Sequence, residues 1–170
     1  MVWATVCTTA VLIVFIVLFF VRNSLSDRII VWIGKRALPF SFVFVMAGLL
    51  GSLFYSEVVG FEPCVLCWVQ RLFLYPQAVL LGLALLWKEK SILAYTWVLS
   101  LLGGIVALYH SYTQLGGRSF TPCTSNGGTC AKVFVLEFGF ITIPTMSLIL
   151  FALLVALYCA SRRADRNYSV

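Results

Sequence analysis

The sequence predicts an all-α polytopic membrane protein: a four-helix transmembrane bundle preceded by one extra N-terminal transmembrane helix. Of its 170 residues, 62% are hydrophobic and only 11% are charged, whereas a soluble domain is about half apolar and a quarter charged. So large an apolar fraction exceeds what a soluble core of this size can bury. The apolar residues also form five long runs, and most lysines and arginines lie in short segments between them.

Each of the five apolar runs is long enough to cross a bilayer, which takes about 20 residues. Because backbone polar groups in lipid must be satisfied within the segment, each run is predicted to be a helix. The first run has no lysine or arginine before Arg22 and is longer than a signal-peptide core, so we expect it to be retained. The predicted spans are residues 1–21, 37–56, 63–87, 91–113 and 138–161.

The basic residues predict the orientation of these spans. They collect in residues 22–36, 88–90 and 161–170, and such segments face the cytoplasm. The N-terminus is therefore predicted outside and the C-terminus inside. The formal net charge of +6 then reflects membrane orientation, and we expect no nucleic-acid partner. Residues 24–34 form either a short amphipathic interfacial helix or an ordinary linker.

Two local cysteine pairs lie at the outer surface in this topology, Cys64 with Cys67 and Cys123 with Cys130. That compartment permits disulfides. The first pair follows Pro63, a residue favoured in the first turn of a helix. A helix N-terminus lowers the pKa of a nearby thiol, and residues at i and i+3 face the same side. The pattern fits a redox pair, although zinc sites also use this spacing.

Two further polar residues lie within the predicted spans. Arg71 shares one helical face with Cys64 and Cys67, and a membrane arginine costs about 2.5–3.5 kcal/mol on insertion scales. It either stabilises a thiolate and the polar head of a quinone, or reaches the headgroups or a neighbouring carbonyl. His110 lies near the outer end of the fourth span. It either contacts a quinone or carries protons, or is satisfied by another helix.

The second pair closes a small polar ring, since only six residues separate Cys123 from Cys130. A ring this short contributes only about 2.5 kcal/mol by the chain-entropy argument. An exposed and easily attacked disulfide instead suits exchange, with structural bridging as the alternative. The separation is wide for zinc, and no metal site is predicted. Cys7 and Cys159 are interpreted as packed apolar residues.

Together these residues resemble the disulfide bond formation protein B (DsbB) family of membrane thiol oxidases, especially its BdbC-like branch. The resemblance covers residues 38–160, the four-helix redox bundle. Residues 1–37 add a transmembrane helix with a basic cytoplasmic linker, and residues 161–170 form a basic cytoplasmic tail. The matching segments are EPCVLCWVQR at 62–71, YP at 75–76, YH at 109–110, PC at 122–123 with Cys130, and GFITIP at 139–144.

The resemblance implies a quinone, either ubiquinone or menaquinone, near the outer surface of the bundle. It implies that Cys67 is the quinone-proximal thiolate, that Arg71 helps to hold the quinone and that His110 lies beside it. We therefore expect a multi-pass thiol:quinone oxidoreductase of the bacterial inner membrane, with its active cysteines on the outer face.

The resemblance also implies a protein partner, an extracytoplasmic thioredoxin-like oxidase of the DsbA type. Cys123 would form the mixed disulfide with this partner, and Cys130 would exchange with Cys64. The chain would reoxidise the partner and so support disulfide bond formation.

Two other classes of protein compete with this interpretation. An enzyme similar to vitamin K epoxide reductase also has a loop pair and a helix-head CxxC, but there the loop pair comes first in the sequence. A non-enzymatic tetraspan protein with structural disulfides is the other alternative. It gives no reason for Arg71 to share a face with Cys64 and Cys67.

Overall fold

The computed structural model describes residues 24–117 and 142–168. The first predicted span, the loop with Cys123 and Cys130, and Cys7 lie outside the described residues. The part that is described is helical and contains no strand. Its elements are α1 (Ser24–Lys35), α2 (Ala37–Leu53) with a π-helical turn (Phe54–Val58), α3 (Val65–Trp87), a 3₁₀ turn (Lys90–Ile92), α4 (Leu93–Gln114) and α5 (Ile143–Tyr168).

Four of the described segments are long and apolar enough to cross a membrane: Ala37–Val58, Val65–Trp87, Lys90–Gln114 and Ile143–Arg166. They confirm four of the five predicted spans, and the chain is a multi-pass membrane protein. The N-terminal span and the orientation of the termini stay predictions.

The last helix begins later than the sequence predicted. It starts at Ile143, and Thr142 directly before it is not helical. Pro144 therefore stands in the first turn, where a missing N–H leaves no intrahelical hydrogen bond unmade.

The four spanning helices pack in a ring. Helix α3 packs between α2 and α4, and α5 closes the ring by packing against α4 and α2. Val45, Leu81, Ala107 and Phe151 are among the buried residues of the shared core. Many large apolar side chains instead point outward, Leu72 among them, as expected for a surface that faces lipid.

Small and polar residues set the contacts between these helices. A Cβ on Gly103 would come within 2.5 Å of the Phe151 ring, so the glycine lets α4 and α5 approach closely. Between α3 and α4, the buried Ser100 hydroxyl donates to the side-chain oxygen of Gln77 at 2.9 Å. The Gln77 amide in turn donates to the Phe73 carbonyl at 3.0 Å.

Residues 24–35 form a helix, as the first of the two alternatives for this segment predicted, and its position at the membrane interface stays a prediction. Helix α1 packs against α5 and buries Ile30 beside Ala160. Asp27 forms an ion pair with Arg163 of α5. Leu25, near the start of α1, is by contrast 68% exposed.

The neighbouring glycines of α4 offer a matched test of this packing. We expect Gly103→Ala to destabilise the protein, because its methyl group meets a buried ring and overpacking costs about 1–3 kcal/mol. At Gly104 the nearest atom would lie at 3.6 Å, and alanine gains up to about 1 kcal/mol of helix propensity. The midpoints of thermal unfolding in detergent should therefore fall for Gly103→Ala and hold or rise for Gly104→Ala. Equal midpoints would contradict this packing.

Candidate functional site

A cavity of about 240 Å³ lies where α2 ends and α3 begins. All four spanning helices contribute to its wall. It contains every predicted site residue that the structure describes, together with polar residues that sequence reasoning did not assign. These lining residues are Cys64, Cys67, Arg71 and His110, joined by Gln70, Ser52 and Ser56.

Cys64 is the N-cap residue of α3. Its backbone is extended (φ −73°, ψ 170°), and its sulfur accepts a hydrogen bond from the Cys67 N–H at 3.4 Å. Side-chain acceptors at this position satisfy one of the free N–H groups at a helix start. The predicted helix head is confirmed, with Pro63 lying just before the helix and not in its first turn.

The two sulfurs of this pair face each other. Cys64 Sγ lies 3.0 Å from Cys67 Sγ, and both residues are free thiols. A disulfide brings the sulfurs to about 2.05 Å, so closing the bond takes a shift of about 1 Å. Both side chains line the cavity, and this places a dithiol in direct reach of whatever the cavity binds.

His110 lies beside the cysteine pair. Its side chain is 1% exposed, and its Nε2 lies 3.6 Å from Cys64 Sγ. The other ring nitrogen, Nδ1, lies 3.0 Å from the side-chain amide nitrogen of Gln70. An amide offers a donor at one end and an acceptor at the other. Gln70 can therefore partner either tautomer of His110, by donating to Nδ1 or by accepting from Nδ1–H.

The hydrogen bonds at Cys64 favour its thiolate. The Cys67 thiol, which donates to its sulfur, lowers the pKa of Cys64 most, and His110 and the Cys67 N–H lower that pKa further. Burial opposes them but is outweighed. In this dithiol form the negative charge therefore belongs on Cys64. The assignment of Cys67 as the quinone-proximal sulfur stays a prediction.

Arg71 is 5% exposed and binds the end of α2. Its Nε donates to Ser52 Oγ at 2.8 Å, and its Nη2 donates to the Ser52 carbonyl at 2.7 Å and to Ser56 Oγ at 2.9 Å. A bond to a neighbouring carbonyl, one of the contacts that the sequence allowed for Arg71, is therefore present, and a role towards a quinone stays a prediction. The guanidinium also lies over Trp68, 5.3 Å from the ring centre. Its Nη1 makes no hydrogen bond within the described ranges, and Arg71 lines the cavity.

Sequence reasoning missed three polar residues of this site. The sequence pattern assigned no role to Gln70, which is next to Arg71, or to Ser52 and Ser56. The two serines are four residues apart at the end of an apolar run, a spacing that puts both on one helix face. That spacing was the available signal for a partner of Arg71. Cys123 and Cys130 lie outside the described residues, and their exchange with Cys64 stays a prediction.

Comparison with known proteins identifies a matching family and several similar proteins. The family model described as "Disulfide bond formation protein DsbB" matches residues 35–161. The SPbeta prophage-derived disulfide bond formation protein B of Bacillus subtilis is 43% identical, over 72% of this chain and 86% of its own. Disulfide bond formation protein C of the same organism is 36% identical, over 70% and 87%. A probable disulfide formation protein of Metapseudomonas resinovorans is 34% identical, over 67% and 81%. No solved structure matches the chain.

The lowered pKa of Cys64 predicts its reactivity. A free thiol has a pKa of about 8.5, and only the thiolate is alkylated. The rate of alkylation of Cys64 by iodoacetamide should therefore hold as pH falls below 8.5 and drop only near the lower pKa. His110→Phe removes one group that lowers the pKa, so its midpoint should move up towards 8.5. Mass spectrometry of the labelled peptide measures both midpoints in reduced protein. A wild-type midpoint at or above that of a free cysteine peptide would contradict the arrangement.

Proposed function

Because the chain belongs to the DsbB family, we propose that it is a thiol:quinone oxidoreductase that reoxidises an extracytoplasmic DsbA-type protein. Membership of the family supports a role in disulfide bond formation. The proposal goes beyond family membership by naming a quinone as the electron acceptor and a thioredoxin-like protein as the partner. Under it, electrons pass from the thiols of the partner to the dithiol of this chain and then to a membrane quinone.

One observation carries the proposal: two thiols 3.0 Å apart stand at a helix head in the wall of a cavity. Oxidation of this dithiol forms one sulfur–sulfur bond and releases two electrons and two protons. Cys64 gives up its proton readily, because Cys67 and His110 stabilise its thiolate. The Nε2 atom of His110 lies 3.6 Å from Cys64 Sγ and would take a proton from the pair.

The lining of the cavity supports a quinone as the electron acceptor. The volume of about 240 Å³ exceeds the roughly 150 Å³ of an engineered cavity that binds benzene. The apolar part of the lining suits an aromatic ring, and Phe44, Leu74 and Phe151 belong to it. Arg71 adds a guanidinium that would hold a quinone oxygen, and His110 would lie beside the quinone. A bound quinone would supply a two-electron acceptor that also takes up two protons.

The loop pair completes the proposed route to the partner. Thiol–disulfide exchange proceeds by thiolate attack through a mixed disulfide, so the electrons need adjacent sulfurs. Cys123 would receive the attack of the partner, and Cys130 would exchange with Cys64. The family match over residues 35–161 favours this route over a reductase similar to vitamin K epoxide reductase. It also disfavours a tetraspan protein whose disulfides are only structural.

Replacing Arg71 tests the quinone side of the proposal. We expect Arg71→Ala to raise the KM for a soluble quinone about tenfold or more, since a hydrogen bond to a charged group contributes about 1.5–3 kcal/mol. Arg71→Lys keeps the charge but loses the planar fork, and its KM should fall between. Arg162→Ala, an exposed position near the end of α5, is the matched control. An unchanged quinone KM in a folded Arg71→Ala protein would leave Arg71 as a helix-joining residue only.

Replacing single cysteines tests the order of the relay. Cys130→Ser should remove the resolving thiol and trap a mixed disulfide between Cys123 and the partner. Cys67→Ser should abolish quinone reduction, while an oxidised loop pair still oxidises one equivalent of partner. Non-reducing gels and quinone absorbance report the two steps separately. Turnover of Cys130→Ser at the wild-type rate would mean that Cys64 and Cys67 meet the partner directly.

A further inference from the structure

We propose that the reduced protein binds one Zn²⁺ ion through Cys64 Sγ, Cys67 Sγ and His110 Nε2, and that the bound ion blocks formation of the Cys64–Cys67 disulfide. The sequence predicted no metal site. The fold changes this, because it brings His110 to the pair from 46 positions along the chain. The binding step is independent of the proposed function, whereas a regulatory effect on turnover rests on it.

The donor atoms suit a thiophilic d¹⁰ cation. The two sulfurs and the imidazole nitrogen all lie within 4.8 Å of one another. Cysteine thiolate and histidine are the ligands that Zn²⁺ favours, and sites with three protein ligands leave a fourth position open. Here the two cysteines and His110 line the cavity, which leaves room for a water molecule as the fourth ligand.

The distances approach those of a tetrahedral zinc site. Bond lengths of about 2.3 Å to sulfur and 2.0–2.1 Å to nitrogen put a ligand sulfur about 3.6 Å from a ligand nitrogen and two sulfurs about 3.8 Å apart. Cys64 Sγ and His110 Nε2 already lie 3.6 Å apart. The two sulfurs are 3.0 Å apart and need to separate by about 0.8 Å. Cys67 is only half-buried and lines the cavity, which leaves room for this shift.

Gln70 supplies the outer contact that a ligating histidine requires. Such histidines are held by a hydrogen bond on the other ring nitrogen, which fixes the tautomer. Gln70 lies 3.0 Å from Nδ1, and with its oxygen turned to Nδ1–H it leaves the Nε2 lone pair for the metal. Two thiolates, a neutral imidazole and Zn²⁺ sum to zero charge, which suits a buried site.

The redox state of the Cys64–Cys67 pair would control whether the site binds Zn²⁺. A disulfide offers no thiolate, so only the dithiol form binds the ion. Ligation holds both sulfurs as metal thiolates and removes the nucleophile that disulfide formation needs. Because ligation displaces thiol protons, the affinity rises with pH. Zn²⁺ would thus hold the protein in its reduced form.

The binding test uses the full chain with Cys123→Ser and Cys130→Ser, so that the loop pair cannot bind metal. Cd²⁺ titration of the reduced protein, followed by cadmium–thiolate absorption, should give one ion per chain, and Zn²⁺ should displace it. Diamide-oxidised protein should not bind. Gln70→Leu should weaken binding about 10- to 100-fold, the range for a lost supporting contact, and His110→Ala, which removes a ligand, should weaken it further. Cys159→Ser, a change on α5 away from the donor set, is the control and should bind as before.

Several outcomes would overturn the site. They are the absence of stoichiometric binding to the reduced protein, equal binding after oxidation, and undiminished affinity in His110→Ala. The comparison of reduced with oxidised protein needs no substitution at the ligands, so a misfolded variant cannot hide the answer.

The blocking step has its own readout. The rate of Cys64–Cys67 disulfide formation by diamide should fall at least tenfold with one equivalent of Zn²⁺ and recover on chelation. An unchanged rate with bound Zn²⁺ would overturn this half of the proposal. Neither measurement involves quinone or partner. Failure of the proposed oxidase function would therefore appear as absent quinone reduction in metal-free protein, with Zn²⁺ binding intact.

Discussion

Inside a bilayer no water satisfies a buried polar group, and the candidate site depends on how this chain meets that constraint. Arg71 of α3 donates three hydrogen bonds to the end of α2. Gln70, its neighbour, meets His110 of α4. Adjacent residues of one helix thus reach two different helices, and they fix the rotation of α3 between them. That rotation turns Cys64 towards His110 and places both thiols in the wall of the cavity.

The same contacts account for the chemistry of the pair. A thiol at a helix start already has free N–H groups beside it, and here Cys64 takes up the Cys67 N–H. His110 adds a second polar contact from α4. Charge on Cys64 is stabilised where an apolar environment alone would oppose it. This matters for an oxidase, because sulfur must act as a thiolate in every exchange step. It matters equally for metal binding, which draws on the same thiolates.

The sequence predicted the structural features that depend on a single segment of the chain. Apolar run length placed four spans, and Pro63 before the pair placed Cys64 and Cys67 correctly at a helix head. What it missed depends on the rotation of one helix against another. The contact of His110 with Cys64, and the choice of Ser52 as a partner for Arg71, are of this kind. The sequence also did not predict the first residue of α5, because hydropathy marks an apolar run without showing at which residue its helix begins.

The central claim is that the electrons of protein thiols leave through the helix-head pair to a quinone. Its most direct test is the stoichiometry of a single oxygen-free reaction. Purified full-length chain would be mixed with an excess of reduced thioredoxin-like protein and a limiting soluble quinone, while thiols and quinone are counted together. We expect two thiols to be lost for each quinone reduced, until the quinone is exhausted. Thiol loss without quinone reduction, or no reaction in a folded and metal-free protein, would contradict it.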